Sequence, residues 1–328
     1  MTLDFEKDKL IEELKKRKPK KVLVQLAEGI KQNAGEIKQD INKLGIEVVF
    51  SGETCWGGCD IAVQEAESVG ADLIVHFGHA EFIKTSFPVV YIEVKDLLDL
   101  NSLLERSLEF LKDYKKIGLS YSIQHRHDIE NIKRFYEEKG KKILLSKKRG
   151  TNAYEGQVTG CNYQGLKEIQ EQVDCFVIIG NKFHSTGASL AVKKPVILID
   201  VYNDDIKTME GLKDKILKQR VVAIEKLKEA KNVGIIVGMK CGQKFGSPEK
   251  LIEKLKEREK NVIILTMNEL TPDKIMNFYK IDAFIELACP RIALDDFANY
   301  PKPILTMREA MVALGEISWD EILEQGIL

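Results

Sequence analysis

The sequence predicts an α/β architecture of three similar domains, each a small four-stranded parallel sheet flanked by helices. Three observations lead there. Short β-branched apolar runs recur in three groups of four along the 328 residues. Runs such as VIILTM and PVILID are apolar at successive positions, so both faces of those strands are buried, as in parallel strands covered by helices. Stretches of helical periodicity separate the runs, and parallel strands need such crossovers.

Taken in order, the first group reads KVLVQLAEG, EVVFSG, ADLIVHFGH and VVYIEV. The second is KIGLSYS, KKILLS, DCFVIIGN and PVILIDV, and the third is NVGIIVG, NVIILTM, DAFIELA and PILTM. The link SPEKLIEKLKEREKN opens with Ser247 and places Pro248 at the first helical position, where its missing N–H is harmless. Two amphipathic segments, LLDLNSLLERSLEFLKDYKK and DKILKQRVVAIEKLKEAKN, read as helices joining the groups. The expected domains are 1–105, 106–220 and 221–328.

A 44% hydrophobic content supplies real cores and argues against disorder. Lysine and arginine number 50 against 51 acidic residues, so no overall charge draws the chain to nucleic acid or membrane. The start, MTLDFEKDKLIEELKKRK, has no apolar signal core and no later run approaches a membrane span, which predicts a cytoplasmic protein. Six cysteines in such a chain are not expected to form a disulfide framework. Walker-type, dinucleotide-binding and nucleophile-elbow spacings are all lacking.

An internal alignment points to duplication of at least the first two groups. Cys59 precedes Asp72 by thirteen residues and Cys161 precedes Asp174 by the same thirteen. Gly58 and Gly160 stand just before each cysteine, and Gly78 and Gly180 fall nineteen residues after it. The third group places Cys289 directly after its third strand. All three cysteines thus map to loops leaving the carboxyl ends of strands, the ligand face of a parallel sheet. Packed around a pseudo-threefold axis with those rims inward, the three domains would bring three thiolates together. Such a site suits a 4Fe-4S cluster with one open iron, and equally a zinc ion with a fourth ligand.

Other residues are less decisive. Cys175, inside a strand, reads as core, while Cys55 and Cys241 are loop thiols near the same rim. His76, His79, His125, His127 and His184 all lie at or near strand ends, suited either to acid-base work or to structural hydrogen bonds, and Gln124 shares that ambiguity. Arg291 follows Cys289 by two residues and could hold a substrate carboxylate, or pair with Asp295 or Asp296. The basic run Lys147 to Gly150 suits an anionic partner or simply a solvated loop.

The segments WGGCD, GCN and ACPRIALDD, together with SIQHRHD and NKFHSTG, resemble the archaeal diphthamide synthase family, 2-(3-amino-3-carboxypropyl)histidine synthase. The resemblance spans essentially the whole chain, with one departure at Trp56, where the family usually has tyrosine, and another at the extra Cys55. It implies a homodimer in which Cys59, Cys161 and Cys289 hold a 4Fe-4S cluster that works with S-adenosylmethionine. Position then suggests Arg291, Gln124 and His125 as contacts to S-adenosylmethionine.

The implied reaction is reductive cleavage of the sulfonium at the methionyl Cγ. It releases 5'-methylthioadenosine and transfers the 3-amino-3-carboxypropyl group to a histidine of elongation factor 2. An unidentified electron donor is implied as well. Quinolinate synthase, with a similar three-domain layout, fits the motifs less well, and a non-catalytic metal-binding accessory subunit is a third reading.

Overall fold

The computed structural model describes residues 3–328, and its frame is three parallel sheets. In the first, Glu47–Phe50, Lys21–Leu26, Leu73–Phe77 and Val89–Ile92 lie side by side in that order, all parallel. The third sheet follows the same plan with Asn261–Met267, Asn232–Gly238, Ala283–Glu286 and Ile304–Thr306. The second orders Lys142–Leu145, Lys116–Tyr121, Cys175–Gly180 and Val196–Asp200 likewise, then adds Asp205–Thr208 as an antiparallel edge. Each sheet therefore reads second, first, third, fourth. The reversal between first and third strands opens a crevice at their carboxyl ends, the place where open α/β sheets bind ligands.

VIILTM, expected to be buried on both faces, is an outer strand, Asn261–Met267, that buries only Leu265. Two further features depart from the expected twelve parallel strands. The edge strand Asp205–Thr208 is polar and buries only Ile206, so it carries no apolar run to betray it. Leu3–Asp4 and Lys95–Asp96 form a two-residue antiparallel pair outside the three main sheets.

The repeat extends to all three units once side chains are compared. Asp72 accepts backbone N–H groups from Lys20 and Lys21, Asp174 from Lys115 and Lys116, and Asp282 from Lys231 and Asn232, all between 2.7 and 3.1 Å. Each aspartate thus ties the turn before its third strand to the start of its first. A proline opens each fourth strand, and the carbonyls of Pro88, Pro195 and Pro303 accept from Ile74, Phe176 and Phe284. Position 288 holds alanine where the first two units have Gly78 and Gly180.

Separate apolar cores lie under each sheet. Helix Asn101–Phe110 spans residue 105 and sends Leu103 and Leu104 into the second core. Helix Glu210–Glu229 spans residue 220 and sends Ala223, Ile224 and Leu227 into the third. On that helix the fully buried Arg220 pairs with Glu309 at 2.6 Å and donates to the carbonyls of Ala293 and Ile304 at 2.7 and 2.6 Å. A buried guanidinium is tolerable only when paired and hydrogen-bonded in this way.

Candidate metal centre

Cys59 lies in the loop between strand Glu47–Phe50 and helix Val63–Ser68, and Cys161 in the matching loop of the second unit, ahead of helix Gln164–Ile169. The glycines before them permit close packing. A Cβ on Gly58 would stand 2.9 Å from the carbonyl of Ala80, and one on Gly160 would stand 2.3 Å from the Phe183 ring. Cys289 caps the short helix Pro290–Asp295. Its turn is held by Glu286, whose Oε2 accepts the N–H groups of Ala288 and Cys289 at 2.9 and 2.8 Å. Burial pushes the Glu286 carboxyl up to about 8, against the pull of those two amides.

All three cysteines border one cavity of about 920 Å³, reached from all three units. None is in a disulfide. Burial raises each thiol, Cys161 to about 12, and the neighbouring sulfurs push Cys161 and Cys289 the same way. Three thiols gathered in a pocket that disfavours their anions form a donor set suited to a soft, positively charged centre, which would displace the protons. The residues present therefore fit a cluster with three cysteine ligands.

The other thiols fall elsewhere. Cys175 is fully buried in the second core, and Cys241 is exposed with its Sγ on the carbonyl of Ile61 at 3.4 Å. Cys55 is buried beside His76 and His79, the three offering ligand atoms within 4.8 Å of one another. The two histidines already occupy each other. Gln25 donates to the carbonyl of Asp60 at 2.6 Å and accepts from the N–H of Ala62 at 3.2 Å, which fixes its amide orientation. His76 must then donate from Nδ1 to Gln25 Oε1 (2.9 Å), leaving Nε2 to accept from His79 Nδ1 (3.0 Å). The outcome is a neutral His79 at the cavity wall with Nε2 as a free acceptor, and burial holds its imidazole down to about 4.

Of the residues expected to contact S-adenosylmethionine, Gln124 borders the cavity and donates its amide to the carbonyl of Gly78 at 2.7 Å. His125 is buried outside the lining, its ring 6.1 Å from that of Tyr202, and burial lowers it to about 4. Arg291 reaches the lining, but protein groups engage its guanidinium. It donates to the carbonyls of Gly160 (2.7 Å) and Phe183 (2.6 Å), stacks on the Phe183 ring and approaches the Asp295 carboxylate at 2.5 Å. Its place is that of a tie between the Cys289 helix and the Cys161 loop, not of a fork open to a substrate carboxylate. Lys147 and Lys148 are solvated, and Arg149 pairs with Glu168 at 2.7 Å.

The sequence placed Cys241 in a loop near this rim but gave no hint that Gln243 of the same loop, 240–243, reaches Cys59. Gln243 Nε2 stands 3.5 Å from Cys59 Sγ. The two residues are 184 positions apart, and no local periodicity reports such a contact.

Comparison with known proteins points to one family. Residues 26–324 match the family model described as "Putative diphthamide synthesis protein". The chain is 30% identical to the 2-(3-amino-3-carboxypropyl)histidine synthase of Pyrococcus horikoshii, over 98% of this chain and 95% of the relative. It is 29% identical to the enzyme of the same name from Methanocaldococcus jannaschii, over 96% and 91%. The crystal structure of Dph2 from Pyrococcus horikoshii with a 4Fe-4S cluster superposes with a TM-score of 0.88 at 28% identity, covering 97% of this chain and 93% of that one. With the family model matched over most of its length and three cysteines facing one cavity, the chain belongs to the diphthamide synthesis family.

Proposed function

We propose that this protein is a 2-(3-amino-3-carboxypropyl)histidine synthase, performing the first step of diphthamide biosynthesis on a histidine of elongation factor 2. The observation that carries the reading is the convergence of Cys59, Cys161 and Cys289, one from each unit, on a single cavity. These three would hold a 4Fe-4S cluster, and three ligands leave one iron open. When bound, the reduced cluster supplies the electron that breaks the sulfonium bond of S-adenosylmethionine at the methionyl Cγ.

The chain's own residues do the rest. The largely apolar cavity limits water around the reacting groups. Gln124 and His79 stand on its wall, and the acceptor Nε2 of His79 suits an N–H of the target imidazole or the ammonium of S-adenosylmethionine. Trp56, 63% exposed, and the exposed Phe183 also border the cavity, so a protein-borne histidine can enter past them. We assign the electron donor to a separate protein or reductant and the reaction to the cytoplasm, where elongation factor 2 works. No helix among the described residues is long and apolar enough to cross a membrane.

A homodimer fits the third sheet, whose edge strand Asn261–Met267 leaves Ile263 and Ile264 50% and 51% exposed. Open apolar edges are normally covered by another chain.

The reading is tested with anaerobically reconstituted protein reduced by dithionite. It should convert S-adenosylmethionine to 5'-methylthioadenosine and add the mass of one aminocarboxypropyl group to elongation factor 2. Reconstituted protein that carries its cluster yet forms neither product would refute the assignment.

A further inference from the structure

Among the three candidate ligands Cys59 is distinguished by what reaches its sulfur. Gln243 is buried, and its amide Nε2 donates to Cys59 Sγ at 3.5 Å. The donor is held there by its own loop. Gly242 N donates to the carbonyl of Cys59 at 2.8 Å, Cys241 Sγ rests on the carbonyl of Ile61 at 3.4 Å, and Lys240 Nζ pairs with Asp60 at 2.6 Å. Both members of that ion pair are largely buried, with side chains 11% and 8% exposed.

The approach requires glycine at 242. A Cβ there would lie 2.7 Å from the Cα and from the carbonyl oxygen of Cys59. Four consecutive residues of the third unit are thus clamped onto residues 59–61 of the first, and the clamp aims one amide N–H at one sulfur. Arg291 makes the comparable tie between the third unit and the Cys161 loop through the carbonyl of Gly160, but it donates to oxygen. Only the 240–243 clamp places a side-chain donor on a candidate ligand sulfur among the described residues.

We infer that Gln243 is a positioning residue that sets the reduction potential of the metal centre through its N–H···S hydrogen bond to Cys59, with the 240–243 loop as its mount. The inference rests on the proposed role of Cys59 as a cluster ligand. Hydrogen bonds to cluster sulfurs, like other outer contacts, tune potential because a donor stabilises the more negative, reduced state more than the oxidised one. Burial strengthens the effect, since no water can replace the lost donor. The clamp also couples potential to domain arrangement, because the donor and the ligand belong to different units.

The test is a potentiometric titration of the reconstituted full-length protein, followed by electron paramagnetic resonance, with iron and sulfide measured on each sample. Gln243→Leu is expected to keep its cluster while its ratio of reduced to oxidised centre at a fixed potential falls about tenfold, a shift of about 59 mV for one electron. Gln243→Glu, which replaces the donor by a carboxylate facing a thiolate, is expected to move the same way. Gly242→Ala keeps the glutamine but displaces its mount, and is expected to shift the potential likewise, which preserves the test if the Leu variant assembles poorly. Wild-type potentials in cluster-loaded Gln243→Leu and Gly242→Ala would overturn the inference while leaving the ligand assignment intact. A Cys59→Ala protein that keeps its full cluster and potential would instead overturn the reading of Cys59.

Discussion

Two cysteines from different units, Cys289 of the third and Cys175 of the second, test the assignment at the scale of residues. Cys289 borders the cavity and Cys175 lies in the second core, yet burial raises both thiols. Position separates them, not ionisation. Cys289→Ala is expected to lose the cluster absorbance and all formation of 5'-methylthioadenosine, at little cost in stability. Cys175→Ala should keep cluster and turnover while losing about 1–2 kcal/mol in a urea titration, the ordinary penalty for a small core truncation. Equal cluster loss in both would contradict the distinction. Glu286 offers a second contrast, since Glu286→Gln keeps an oxygen able to accept from Ala288 and Cys289, whereas Glu286→Ala leaves both amides without that acceptor. Cluster occupancy after reconstitution is expected to survive the first change and fall with the second.

Single side chains also decide how elements stay together. Glu309 closes a capping box with Thr306 at the start of helix Met307–Ala313 and also pairs with Arg220 from helix Glu210–Glu229. Arg220→Met would strand that carboxylate in the interior, at an expected cost of about 3–5 kcal/mol. Adding Glu309→Leu should recover only part of it, because the cap itself is worth about 1 kcal/mol. Urea titrations of the single and double variants measure both terms.

The aspartate ties before the third strands give a pH signature. Backbone N–H groups hold Asp72, Asp174 and Asp282 below the ordinary aspartate value of about 3.9. The stability they contribute is therefore complete above that value and lost as pH falls through the lower folded values. Replacing all three by asparagine should flatten that part of an acid-unfolding curve followed by circular dichroism.

Most of these elements were legible in the sequence because doubly buried strands must be apolar throughout, as in VIIG of the second sheet and IIV of the third. Asp205–Thr208 was not, since an edge strand with one buried residue has no such constraint. The third copy of the aspartate tie escaped the cysteine-anchored alignment because Cys289 follows the third strand, whereas Cys59 and Cys161 follow the second. The cysteines were legible as a set. The pairing of Arg291 with Asp295 was legible from their spacing, but the other contacts of Arg291 and those of His125 and Gln243 were not, because they join positions more than a hundred residues apart or depend on which side of a wall a ring faces.

Across the whole molecule, the three units meet at the cavity, and the third unit leaves the edge strand Asn261–Met267 of its sheet open. Ile263 and Ile264 are neighbours on that edge strand, so their side chains point to opposite faces, and both are half exposed. Ile263→Lys with Ile264→Lys is expected to turn the proposed dimer into a monomer in sedimentation velocity while leaving cluster assembly unaffected. An unchanged dimer would place the contact elsewhere.

The central claim, that one thiol from each unit holds a common cluster at which S-adenosylmethionine reacts, is tested most directly by electron paramagnetic resonance of the dithionite-reduced protein with and without S-adenosylmethionine. The expected result is the signal of one reduced 4Fe-4S centre per chain, shifted when S-adenosylmethionine is added and absent from Cys59→Ala, Cys161→Ala and Cys289→Ala proteins. A spectrum indifferent to S-adenosylmethionine, or one that survives loss of any of these three sulfurs unchanged, would contradict it.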